Sequence, residues 1–200
     1  FTHPDPIQRE RELEYLRRDI ALSSELGATY LRIVAGQAHP DTPVEEGIAW
    51  VIENFKRATP VADRFKVRLV YENHSMPGAW DYVDFSHPTE IFLEIAEGIK
   101  EAGIGINFDT GNTLVYGDDP VAVLRTVIGQ VETIHAADTA KRGKLEPVLL
   151  GEGVVPFAEL FSLLKQNGFD GWICIEEASN TGREGIRKAV EFVRKTWSEA

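Results

Sequence analysis

Four side chains of the kinds that hold divalent cations each close, or nearly close, a short apolar run of this 200-residue chain. Glu72 ends VRLVYE, Asp109 ends IGINFD, His135 ends ETIH, and Glu176 ends ICIE. Three carboxylates and one imidazole make a hard, oxygen-rich donor set. Such a set suits Mn²⁺ first, with Mg²⁺ or Co²⁺ close behind, while catalytic Zn²⁺ stays open. Four protein donors would leave two positions of an octahedral ion free, enough for two adjacent oxygens of a hydroxy-ketone. Taken singly, each residue has an ordinary alternative. A carboxylate after a strand also serves as a helix cap or a solvated loop residue, and His135 between Ile134 and Ala136 also reads as a core histidine. Recurrence at four successive runs is what points to a site.

The elements that must position these residues are legible in the punctuation. Asp5-Pro6, Thr42-Pro43, His87-Pro88, Asp119-Pro120 and Val155-Pro156 each precede a helical pattern, which places the proline in a first helical turn. Gly27, Gly103 and Gly168 follow helical patterns where a left-handed residue is expected. The first helix carries Leu13, Leu16, Ile20 and Leu26 on one face, and a last helix is expected from Arg183 to Trp197. Between them lie YLRIVA, VRLVYE, IGINFD, VETIHA and GWICIE, nearly continuous apolar runs that suit strands buried on both faces. Regular alternation of helix and strand predicts an α/β fold with a parallel sheet. In a closed parallel barrel all C-terminal strand ends meet on one face, where the four candidate ligands would gather.

The residues also carry a resemblance. Glu72 in VYENH, Asp109 in NFDTGN, His135 in IHAAD, the LLGEGVVPF stretch and Glu176 in ICIEEAS resemble the xylose-isomerase-like family of TIM barrels, which holds sugar and sugar-phosphate isomerases and epimerases. The resemblance implies a divalent-metal-dependent isomerase or 3-epimerase of a ketose or ketose phosphate, with Glu72, Asp109, His135 and Glu176 on the metal. Glu72 and Glu176 would also be catalytic, one removing the proton α to the carbonyl and the other delivering a proton to the opposite face. Relatives with the same ligands suggest a second reading, a lyase that dehydrates keto-inositols or dehydroshikimate. A third is a non-catalytic sugar-binding remnant. A related DNA-repair endonuclease uses several zinc ions and more histidines, whereas His135 is the only strand-end histidine here.

Further candidates follow the same strand ends. Asn73 and His74, directly after Glu72, are placed to bond substrate hydroxyls, and Trp80, with Tyr82 and Phe85, to cover a sugar. Lys141 and Arg142 stand where family members place a basic residue against substrate oxygens or phosphate. Asn112 in DTGN stands where many relatives carry histidine. His3, His39 and His87 have no partner pattern, and Cys174 between two isoleucines is expected to be a small core residue rather than a nucleophile.

Charge and length set the outer bounds. A net charge of −11, from 32 acidic against 21 basic residues, argues against nucleic acid as partner. No apolar run reaches membrane-spanning length, and the cytoplasm is taken as the default location. The resemblance implies a small carbohydrate substrate and a habit of self-association. The strand-end residues recur about every 35 positions, so eight such units would need roughly 280 residues, against about 250 in a usual barrel. The expectation is therefore a single domain over 1–200 holding about the last five of eight βα units, starting on a helix and lacking the N-terminal strands.

Overall fold

The computed structural model describes residues 1–76 and 78–200. Five strands form one sheet in chain order, β1 (Tyr30–Ile33), β2 (Arg68–Glu72), β3 (Gly105–Asp109), β4 (Val131–Ala136) and β5 (Trp172–Ile175). β1 pairs with β2 and β4 with β5 in parallel, the pairing that consecutive right-handed βα units produce. This is the topology of consecutive units of a (β/α) barrel. The chain divides into two compact units, Phe1–Ile106 and Asn107–Ala200.

The first unit contains α1 (Pro6–Glu25), α2 (Val44–Phe65) and α3 (Thr89–Ile99) around β1 and β2. Asp5 caps α1, its Oδ1 accepting the N–H of Ile7 at 2.8 Å with Pro6 at the first helical position. Leu13, Leu16 and Ile20 are buried as the helical spacing predicts, but Leu26 is 77% exposed. It is the residue after the last helical turn, where the 3.6-residue period no longer sets its direction. Three prolines also depart from expectation. Pro43, Pro88 and Pro156 sit one residue earlier than predicted, in the capping position, the first two with extended backbone and Pro156 with ψ 62°. Their ring still excludes an N–H that the helix start would not use. Within α2, Pro60 withdraws one N–H from the ladder, and the Thr59 hydroxyl donates to the Lys56 carbonyl at 2.9 Å instead. Phe55, Tyr71 and Phe92 form the dry centre of this unit, with ring centroids 5.4–5.5 Å apart.

The second unit contains α4 (Asn112–Tyr116), α5 (Pro120–Val127), α6 (Phe157–Gln166) and α7 (Gly182–Glu199) with β4, β5 and most of β3. Phe108, Leu124, Ile134, Leu160, Phe161 and Leu164 are fully or almost fully buried there. Every residue of β3 is buried, as expected for a strand covered on both faces, whereas β5 alternates between exposed and half-buried. Cys174 therefore lies on the exposed side together with Trp172, not in the core. The reason is positional: β5 ends the strand order and has a hydrogen-bonded neighbour on one side only.

Candidate metal centre

The second unit assembles three of the expected ligands. Asp109 is the last residue of β3 and is buried. Its Oδ1 accepts the N–H groups of Gly111 at 2.8 Å and Asn112 at 2.7 Å, which fixes the carboxylate and starts the short helix α4. His135, on β4, is half-buried and opposite Cys174 in register. Glu176 follows β5, held by its N–H to the Ala136 carbonyl at 3.0 Å, with its side chain 59% exposed. His135 Nδ1 and Glu176 Oε2 are 3.3 Å apart. One ligand atom from each of Asp109, His135 and Glu176 lies within 4.8 Å of the others. Donors on opposite sides of an ion with bonds of about 2.1–2.4 Å are separated by roughly 4.2–4.8 Å, so this span is that of a single coordination sphere. Two carboxylates and an imidazole fit a hard or borderline divalent ion.

Glu72 stands at the corresponding end of β2 in the first unit, with its side chain 1% exposed. Its Oε2 accepts a hydrogen bond from Arg32 Nη1 on β1. Nothing in the YLRIVA run marks Arg32 for this role, because the partnership depends on strand register across 40 residues.

The residues after Glu72 form a second organised group. His74 Nδ1 meets Asp84 Oδ2 at 3.1 Å, and its ring stands edge-on to Trp80 with centroids 5.5 Å apart. Asp84 is fully buried and also accepts from the N–H and the hydroxyl of Ser86 at 2.8 and 2.7 Å. Gln37 Oε1 accepts the N–H groups of Asp81 and Tyr82, tying the Trp80 loop to the end of β1. Asn73 is buried. Phe85 is buried as well, and its ring occupies the space beside Gly47, so it is a core residue rather than a cover. Gln37 carries no sequence signal, since it acts on a segment more than 40 residues away, and the Asp84–His74 pairing depends on how the loop between them folds back.

Two other features correct or extend the reading. His3 and His39 do have partners: their rings meet at 4.7 Å, and His39 also meets Tyr82 at 5.7 Å. Lys141 pairs with Glu146 within its own loop at 3.3 Å, and Arg142 Nε donates to the carbonyl of Gly117, at the end of α4, at 2.6 Å, so both basic residues are engaged. Beneath that loop, Asp138 gathers the N–H groups of Thr139, Gly151, Gly153 and Val155 at 2.9–3.2 Å. Burial raises the Asp138 carboxyl above its ordinary value, and these four donors pull it back. A Cβ on Gly153 would lie 2.2 Å from Asp138 Oδ1, so the second glycine of GEG is required by the clamp. Asn112 lies at the start of α4, beside Asp109 through its backbone.

Comparison with known proteins identifies the fold and the family. L-ribulose-5-phosphate 3-epimerase UlaE of Escherichia coli strain K12 is 26% identical over 199 residues, 98% of this chain and 67% of the relative. A crystal structure of a D-tagatose 3-epimerase-like protein superposes with a TM-score of 0.82 at 22% identity, over 98% of this chain and 72% of the other. A zinc-bound structure of the IOLI protein superposes at 0.83 with 18% identity, over 100% and 73%. The structural likenesses establish the fold. A family model described as the xylose isomerase-like TIM barrel matches residues 1–196, and the chain belongs to that family.

Proposed function

We propose that the chain carries the active site of a divalent-metal-dependent 3-epimerase or isomerase of a ketose or ketose phosphate. The observation that carries the reading is the convergence of Asp109, His135 and Glu176 within one coordination sphere's span, in a chain whose relatives include L-ribulose-5-phosphate 3-epimerases. Glu72 is assigned as the fourth ligand from its place at the same end of β2, next to β3 in strand order. A bound ion would supply Lewis acidity at the substrate carbonyl, which acidifies the neighbouring C–H.

The remaining work falls to the protein's own carboxylates. One of Glu72 and Glu176 takes the proton from the carbon next to the carbonyl, and the other returns a proton to the opposite face, inverting that carbon. Each turnover leaves one carboxyl protonated and the other stripped. Glu176, more than half exposed, exchanges its proton directly with water, and the buried Glu72 must exchange its own once product has left before the next turnover. Asp109 holds position through its two backbone N–H bonds and serves as ligand only. His74, Asn73 and Trp80 are assigned to substrate hydroxyls, with His74 held by Asp84. Asn112, Lys141 and Arg142 are assigned to the other end of the sugar. The last two reach it by giving up their present bonds to Glu146 and to the Gly117 carbonyl.

The test uses protein stripped with chelator and reloaded with Mn²⁺, assayed against L-ribulose 5-phosphate, L-ribulose and D-tagatose in ²H₂O. Metal-dependent epimerisation with solvent deuterium at the inverted carbon is expected, and Glu176→Gln should lower turnover by about 10²–10⁴-fold. Wild-type protein that binds no divalent ion, together with an unaltered Glu176→Gln, would overturn the reading.

A further inference from the structure

Arg32 sits where the strand pairing gives it one particular neighbour. In register it lies opposite Val70, and Glu72 is the next residue of β2 on the same side of the sheet. Diagonal neighbours across paired strands are within reach of a long side chain. Arg32 Nη1 accordingly donates to Glu72 Oε2.

The two partners are unequal. The Glu72 side chain is 1% exposed and that of Arg32 is 45% exposed. A carboxylate buried to this degree needs a compensating charge, and Arg32 supplies it. A divalent ion on the same carboxylate would supply that compensation a second time. Two cations on one carboxylate repel, and the repulsion is strong because the shared oxygen atoms are out of water. The strand fixes Glu72, whereas Arg32 has a long stem and half its surface in solvent, so the guanidinium is the group able to leave.

We propose that Arg32 is an exchangeable counter-ion of the metal site: it neutralises Glu72 in the metal-free protein and releases that carboxylate when a divalent ion binds. The inference rests on the reading of Glu72 as a ligand. Arg32 is then a positioning residue that acts through Glu72 and sets how readily the site loads.

The test compares wild type, Arg32→Met and Arg32→Lys in the chelator-stripped and Mn²⁺-loaded states. Calorimetric titration with Mn²⁺ reads affinity, and thermal unfolding reads stability. Arg32→Met should lower the midpoint of the stripped protein, leave that of the loaded protein unchanged, and bind Mn²⁺ about tenfold more tightly. That factor corresponds to a wild-type site whose carboxylate is free in about a tenth of molecules. Arg32→Lys, which keeps a point charge without the planar fork, should shift in the same direction by less, and it carries the test should the methionine variant fail to fold. Equal destabilisation in both states, with affinity unchanged or weakened, would mean that Arg32 holds Glu72 in place throughout and would overturn the proposal. Wild-type protein that takes up no Mn²⁺ would instead remove the metal reading itself, and this inference with it.

Discussion

At the scale of single residues, the chain contains imidazoles whose charge is set by burial. His87 is held below its ordinary value chiefly by burial and further by the charge of His74, with Asp84 acting in the opposite sense. His39 is lowered for the same main reason, with His3 adding to it. A histidine whose folded value is depressed favours the neutral form in the native state. Its contribution to stability is therefore complete above the unfolded value of 6.5 and is lost as pH falls through 6.5 toward the folded value. Denaturant titrations at pH 7.5 and 5.5 should show lower stability at the acid end, and His87→Gln should flatten that dependence. An unchanged slope in the variant would contradict the assignment. The glutamates at the strand ends differ in a related way. Glu72 is enclosed and Glu176 open, so replacing Glu176 by Gln should impair proton transfer while perturbing folding little, since a largely solvated side chain is exchanged for one of the same shape.

At the scale of elements, the loop from Leu149 to Val155 owes its shape to one carboxylate. Asp138→Ala would strip acceptors from the N–H groups of Thr139, Gly151, Gly153 and Val155, and a cost of about 3 kcal/mol is expected. Asp138→Asn keeps one carbonyl oxygen and should cost less. Gly153→Ala should cost a comparable amount to the alanine variant, because its Cβ would also lie 2.4 Å from the Thr139 carbonyl oxygen. Chemical denaturation checks all three. The elements themselves were mostly legible. Gly27, Gly103 and Gly168 have φ of +75, +70 and +73°, the left-handed conformation that their places after helical patterns predict. The end of α2 was not legible, since Lys66 takes the same conformation at φ 56° without a glycine to announce it. Helix α4 was missed for another reason: with five residues it is too short for periodicity and is started by the Asp109 carboxylate.

At the scale of the molecule, binding linked to folding is the broadest test of the metal reading. An ion that binds only the native protein should raise its stability by about 2.7 kcal/mol at a hundredfold excess over the dissociation constant. Thermal unfolding with and without Mn²⁺ should show that rise, and Asp109→Ala or His135→Ala should abolish it. Each compact unit has its own core, so Phe161→Ala in the second should cost about 3–5 kcal/mol through the cavity it leaves. No helix among the described residues is long and apolar enough to cross a membrane. The sequence by itself determined the alternation of helix and strand, the five strand positions, and which strand ends carry ligand-type side chains. These are local properties, written in apolar runs and in proline and glycine placement, and they need no knowledge of what lies across the sheet. Only the tertiary structure decided that Arg32 meets Glu72, that Asp84 holds His74, that Asp138 gathers three distant N–H groups besides that of Thr139, and that Cys174 faces out. The first and last depend on strand register and on the order of strands in the sheet, the other two on how the long loops after β2 and β4 fold back on themselves.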